Sequence, residues 1–290
     1  MMKETLSIRL LQTLTAAKGQ LSAEALALIR QYVDGQRVER EVSFKNRAGE
    51  ADVYYTAFGW LLCYVLDITL DSKQRKAYLA GIQDAELGLI HYAALMRCRL
   101  LDELMDKGKL LMAFTGGKKR DIPALSSFHE VPQGDLNNPY TQFIWQGLLE
   151  DTGHTANAYD AGVLETYHLP KRGYANSPAH DVAYLNATAA ALALKGAAEG
   201  WKAGDDVEAL RHMQEESGGF KASDAAPIAD LLSTATALFV LKQYKTKPLY
   251  DASDFITSHW LENGGFGATL IDVESDVEYV FYGLLALGAL

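Results

Sequence analysis

Three short stretches decide the fold: Arg172-Gly173-Tyr174-Ala175, Gly218-Gly219-Phe220-Lys221 and Gly264-Gly265-Phe266-Gly267. The glycine before each aromatic falls at 173, 219 and 265, so both separations are 46 residues. A period held twice in register marks an internal repeat, which has to be settled before any site is assigned. One period before Tyr174 stands Phe128, where the aromatic remains and the glycine is lost.

Seven to ten residues after each aromatic an aspartate opens an apolar run: Asp135, Asp181, Asp230 and Asp276, with Asp52 opening an earlier copy after Phe44. A carboxylate there can accept the orphan N–H groups of a first helical turn, so each aspartate is read as a helix start. The runs that follow, such as LLSTATALFVL and VEYVFYGLLAL, are apolar nearly all round and imply burial on both sides. Between them lie segments with a charged face, KAGDDVEALRHMQEE and YDASDFITSHWLE, which read as outer helices.

Outer helix followed by inner helix describes hairpins that must pack side by side to bury their apolar faces. Six are expected, at 21–67, 72–97, 99–150, 156–195, 202–243 and 249–290, with an extra helix at 3–17 and a long loop from Thr115 to Asn138. The expected fold is all-α: an α/α toroid of six hairpins in a closed ring, one domain over 1–290 with repeats clearest from 170 to 290. An open solenoid would need polar capping repeats, whereas this chain stops inside the apolar helix Val280 to Leu290.

The chain has 290 residues, 49% hydrophobic and 22% charged, which excludes disorder. A net charge of −10 argues against a partner tracked through phosphates, so no nucleic acid is expected. Lys3, Glu4 and Arg9 interrupt any export signal, and no apolar run reaches the length of a membrane helix. The expected compartment is the cytoplasm, with Cys63 and Cys98 as buried free thiols.

Gln214-EESGGF, Glu262-NGGF, the aspartate-led helix starts and the terminal Tyr279-VFYGLLALG resemble the protein prenyltransferase β subunits and the squalene and terpene cyclases. The resemblance implies the α/α toroid with squalene oxidase-type repeats, an isoprenoid or other apolar ligand in a central cavity, and a transferase or cyclase reaction. It also implies a zinc site in the transferases, made by an Asp and a Cys two residues apart and a His on a later helix. Carried onto this chain the Asp is Asp230, but the Cys position is Leu232 and the His position is Tyr279. Leucine offers no donor, so the expectation is zinc independence and no cofactor.

The cyclases' crowded acid motif has its nearest counterpart in Ile271-Asp272-Val273-Glu274-Ser275-Asp276. Asp272, Glu274 and Asp276 are therefore the candidate acids, for proton donation or for holding a diphosphate through a divalent cation. Their plainer reading is a helix cap and two solvated loop charges. Aromatics gather at the expected inner-helix starts, and Tyr54, Tyr55, Tyr140, Tyr184, Tyr279 and Tyr282 are the candidate pocket, with core filling as the alternative. His129 and His180 are candidate bases near the same rim, and Lys118-Lys119-Arg120 after Thr115-Gly116-Gly117 is a candidate diphosphate loop without P-loop spacing.

Two further readings compete. A non-catalytic toroid would serve as a scaffold for a helical protein partner and show an exposed apolar patch. A glycan-active barrel would need two facing carboxylates in its cavity.

Overall fold

The computed structural model describes residues 5–107, 119–128, 136–154, 159–272 and 274–290. Among them the chain forms twelve α-helices: α1 (Leu6–Gln20), α2 (Ala23–Gly35), α3 (Val53–Val65), α4 (Ser72–Gly81), α5 (Leu89–Lys107), α6 (Pro139–Asp151), α7 (Ala161–Glu165), α8 (Leu185–Glu199), α9 (Asp205–Arg211), α10 (Leu231–Gln243), α11 (Ser253–Ser258) and α12 (Val277–Ala289). Three two-residue antiparallel ribbons precede inner helices: β1 (Phe44–Lys45) with β2 (Ala51–Asp52), β3 (His168–Leu169) with β4 (Gly173–Tyr174), and β5 (Phe220–Lys221) with β6 (Ala229–Asp230).

The repeat acts through one local device. Phe44 and Phe220 lie opposite the cap residues Asp52 and Asp230 in their ribbons. The aromatic N–H then donates to a threonine one turn into the following helix: Phe44 to Thr56, Tyr174 to Thr188 and Phe220 to Thr234, at 3.0, 2.9 and 2.9 Å. Each hydroxyl donates in turn to the carbonyl of the residue that starts its helix. In the last repeat the position of that threonine is Val280, and Ser275 takes the Phe266 N–H instead at 3.0 Å. Gly218 and Gly264 turn into this device with φ of 90°, a conformation that L-residues avoid.

Neighbouring repeats also tie their loops. Leu185 N–H donates to the Ala222 carbonyl at 2.9 Å, and 46 residues on Leu231 N–H donates to Ala268 at 3.0 Å. Orphan donors at one helix start are thus satisfied by the loop of the next hairpin.

Helices α3, α5, α6, α8, α10 and α12 pack each on the next, and α12 packs back on α3. That closed circuit is the α/α toroid, with α2, α4, α7, α9 and α11 outside it. Three of the expected starts hold: Asp52, Asp230 and Asp276 cap α3, α10 and α12. Two need correction or restriction. Asp181 is exposed and paired with Arg172, and α8 begins only after Tyr184, where the backbone leaves the bridge to Ser223. Asp135 lies outside the described residues, and α6 is capped by Asn138 with Pro139 as its first residue.

The expected break between the second and third hairpins, at 97–99, is absent. Helix α5 runs through it, because no Gly or Pro interrupts Leu89–Lys107 and the two arginines there find partners, Arg97 on Asp151 and Arg99 on Asp84. The outer helix expected for the third hairpin would fall in 108–118, outside the described residues.

Helix α1 closes one end of the ring. It touches five of the inner helices or the turns just beyond them: Lys18 reaches Asp67 after α3, Arg97 of α5 reaches Ser7, and Leu6 N–H reaches Glu150 of α6. Leu6 and Arg9 line a cavity wall with Ala197 of α8, and Arg9 bonds Gln243 of α10. Against α12 the approach is closest, where any Cβ on Gly288 would fall on the Thr13 carbonyl. The opposite, N-terminal end is left to the helix starts.

Candidate functional site

The second residues of five of the six inner helices occupy matching places. Tyr140, Asn186, Leu232 and Glu278 are spaced by 46 residues, and Tyr54 occupies the same place after the Asp52 cap. All five are half-buried while most neighbours on their helices are fully buried. On α10 the pattern is clean: Leu232 and Thr236 keep solvent contact and Leu231, Ser233, Thr234, Ala235 and Ala237 do not. The i, i+4 spacing puts the accessible side chains of α10 on one face of an otherwise buried helix.

Tyr54 Oη donates to Glu278 Oε1 at 2.6 Å, joining α3 to α12 across 224 residues of chain. The Tyr54 ring meets Phe58 edge-on at 5.0 Å, and Phe58 lies 6.2 Å from Tyr282, itself 6.4 Å from Tyr279. Tyr140 enters from α6, on the far side of the ring, and Glu278 acts on it electrostatically. Burial, then the Glu278 charge, raises the Tyr282 phenol well above its ordinary value; Tyr140, Tyr279 and Asp230 push the same way. Burial likewise lifts Tyr54, and pushes Tyr279 up to about 12. Four tyrosines therefore converge as neutral hydrogen-bonding groups on one carboxyl.

Burial also raises the Glu278 pKa; Asp276 adds to this, while the Tyr54 hydrogen bond and Arg47 oppose it. Asp230 is raised by burial too, and its two oxygens take the Ser233 N–H and hydroxyl, both at 2.7 Å. These are the two acids at the inner-helix starts that burial makes harder to ionise.

The rim above the collar is held by Arg47, in the turn between β1 and β2. Its Nε donates to Asp276 Oδ2 at 2.9 Å, a terminal nitrogen reaches Asp272 at 3.4 Å, and the guanidinium sits 5.2 Å from the Tyr279 ring centre. Asp276 is buried and also caps α12 through the Tyr279 N–H at 3.0 Å. Asp272 is half-buried and Glu274 is exposed.

Of the expected pocket residues, Tyr54, Tyr140, Tyr279 and Tyr282 come together around Glu278. Tyr55 stands at the rim, edge-on to Tyr54 at 5.6 Å, where Asp276, Glu278 and Arg47 all act on it. Tyr184 packs instead with Leu164, Tyr167 and Tyr174 between hairpins. His180 is exposed; His129 and Thr115–Lys118 lie outside the described residues, and Arg120 pairs with Glu103. Glu278 and Arg47 are the residues that the sequence reading missed. Counting 46 from Tyr140, Asn186 and Leu232 would have reached Glu278, whereas Arg47 carries no periodic signal.

The donors around Asp230 do not fit zinc. Both Asp230 oxygens are engaged by Ser233, Leu232 supplies no donor, and Tyr279 is a neutral phenol under Arg47.

Glu278→Gln should change the pH dependence of stability. A raised folded pKa means that the native state holds a proton the unfolded chain releases, so stability falls as pH climbs from the ordinary glutamate range through the raised value. The glutamine variant lacks that loss. Its melting temperature should match wild type at pH 4 and exceed it at pH 8, and parallel curves over that range would show Glu278 to be ordinarily acidic.

No family model and no curated protein matches the chain. Among solved structures it is similar to Candida albicans protein geranylgeranyltransferase-I complexed with GGPP, at 14% identity and a TM-score of 0.42, over 99% of this chain and 84% of that one.

Proposed function

We propose that the ring, as one domain, binds an isoprenoid or comparable apolar molecule in the collar at its open end, without zinc. The observation that carries this reading is the convergence of Tyr54, Tyr140 and Tyr282, from helices on opposite sides of the ring, on a carboxyl that burial favours in its neutral form. Apolar walls with a few convergent polar groups are the usual make-up of a small-molecule site. Ring faces there would stabilise positive charge developing on a bound alkene.

Glu278 is the acid best placed to hand a proton to such a ligand, since burial raises its pKa above the ordinary glutamate range and Tyr54 holds it among the ring-centre aromatics. Asp272 and Asp276 serve by fixing Arg47 at the rim, where it can receive an anionic head group, and Glu274 lies on the same loop. The free buried thiols Cys63 and Cys98 suit a reducing compartment such as the cytoplasm. Among the described residues no helix is long and apolar enough to cross a membrane.

Calorimetric titration with farnesol, farnesyl diphosphate and geranylgeranyl diphosphate tests the reading. At least one should bind, and Leu232→Trp, which places bulk at a half-exposed collar position, should abolish it with the melting temperature retained. Absence of binding to all three, or binding that ignores Leu232→Trp, would overturn it.

A second reading, a scaffold for a helical protein partner, is favoured by Leu270 and Ile271, which are 65% and 86% exposed on the loop leading into α12. It predicts that Ile271→Asp weakens partner capture while ligand titrations stay silent.

A further inference from the structure

A second space lies at the closed end of the ring, away from the collar. A partly open cavity of about 410 Å³ is lined by α6 from Phe143 to Glu150, the C-terminal half of α8 and the first turn of α1. It exists because α8 is built of small residues there: Ala193, Gly196, Ala197 and Ala198 leave open the volume that larger side chains would fill. Trp201 folds back onto Gly196, where any Cβ would overlap its indole, and so walls the space beside Phe143.

The charges around this cavity are unbalanced. Glu150 and Glu199 line it, and α6 and α8 both end beside it, each C-terminal end equivalent to about half a negative charge. Against these stand Arg9 and the N-terminus of α1, whose Leu6 N–H donates to Glu150 Oε2 at 3.0 Å. The other Glu150 oxygen takes the Gln146 amide at 3.1 Å, and Glu199 takes a hydrogen bond from Tyr159. The sum is about one and a half negative charges in excess, with Glu199 exposed at the mouth and Glu150 half-buried. One cation already sits there: the Arg9 guanidinium lies 5.2 Å from the Trp201 ring centre and donates to Gln243 Oε1 at 2.7 Å.

We propose that this cavity is a binding site for a small organic amine: an apolar body seated against Phe143, Leu194 and Trp201, with a single ammonium directed to Glu150 and Glu199. An anion of the same shape would meet the two carboxylates and the two carbonyl ends. A neutral molecule would forgo the charge that makes the site unbalanced.

Titrating the full chain with 4-phenylbutylamine, 4-phenylbutanol and 4-phenylbutyrate, followed by calorimetry and tryptophan fluorescence, tests this. The amine should bind at least about tenfold tighter than either isostere, a preference that falls as salt rises. Glu150→Gln, which keeps an acceptor for the Leu6 N–H, should weaken the amine and leave the alcohol unchanged. Ala197→Phe, at a half-exposed position, should remove binding with an unchanged melting temperature. Leu232→Trp in the collar should have no effect, which separates this site from the one at the open end. Equal affinity for the three probes, no binding of any, or wild-type binding in Ala197→Phe would overturn the proposal.

Discussion

Alanine at position 75 is expected to cost about 3–5 kcal/mol of stability, roughly 5–8 °C in melting temperature for a chain of 290 residues. Arg75 of α4 is only 3% exposed. Its Nε donates to Asp102 at 2.8 Å, one terminal nitrogen to the Leu70 carbonyl at 2.6 Å and the other to Asp106. Asp102, on α5, is 8% exposed. Deleting the guanidinium leaves that carboxylate buried without its cation, and the desolvation penalty then stands uncompensated. Lysine would restore a charge but not the three-way fork. The double replacement Arg75→Met, Asp102→Leu should recover most of the loss, because it removes the stranded charge together with its partner. Thermal and urea unfolding of the three variants would decide it; a loss below about 1 kcal/mol for the alanine variant would mean that water reaches Asp102.

Phe266→Ala should cost a comparable amount, about 3–5 kcal/mol, from lost burial and the cavity left behind. Phe266 is 1% exposed, edge-on to Trp260 at 5.2 Å, and its ring rests on Gly283 so closely that any Cβ there would overlap it. Gly283→Leu alone should therefore overpack the same seat and cost about 1–3 kcal/mol. The two changes share one volume, so the double variant should lose less than the sum, with a coupling of about 0.5–3 kcal/mol. Strict additivity in denaturant midpoints would show that ring and glycine are not each other's packing partners. The same seat recurs at Phe44 on Gly59.

Both predictions trace to features that were unequally visible in the sequence. The aromatic of that seat belongs to the repeat, since Phe266 stands 46 residues after Phe220, whereas its glycine does not, Ala237 holding the place one period before Gly283. The Arg75 pair has no such signature. A basic residue on a polar outer helix looks solvated until α5 is packed beside it and Asp102 is brought to 2.8 Å. Asp181 shows the converse: it has the spacing of a cap, yet the bridge of Tyr184 to Ser223 keeps the backbone extended for three more residues.

Periodicity settles which segments are inner helices, because burial on both sides leaves a composition that the outer helices, with one polar face, do not carry. The closed ring, its six inner helices and three of their aspartate caps follow from local pattern and a count of 46. What fills the centre does not follow, since it depends on which faces of helices far apart in the chain meet. Tyr54 and Glu278 are 224 residues apart and bond at 2.6 Å; Arg47 finds Asp276 from 229 residues away; α1 reaches five of the inner helices. The two ends of the ring acquire different chemistries in this way, an aromatic collar around one half-buried carboxyl where helices begin and an acidic, alanine-lined cavity where they end. Burial and helix direction set those chemistries, and both come into being only when the ring closes.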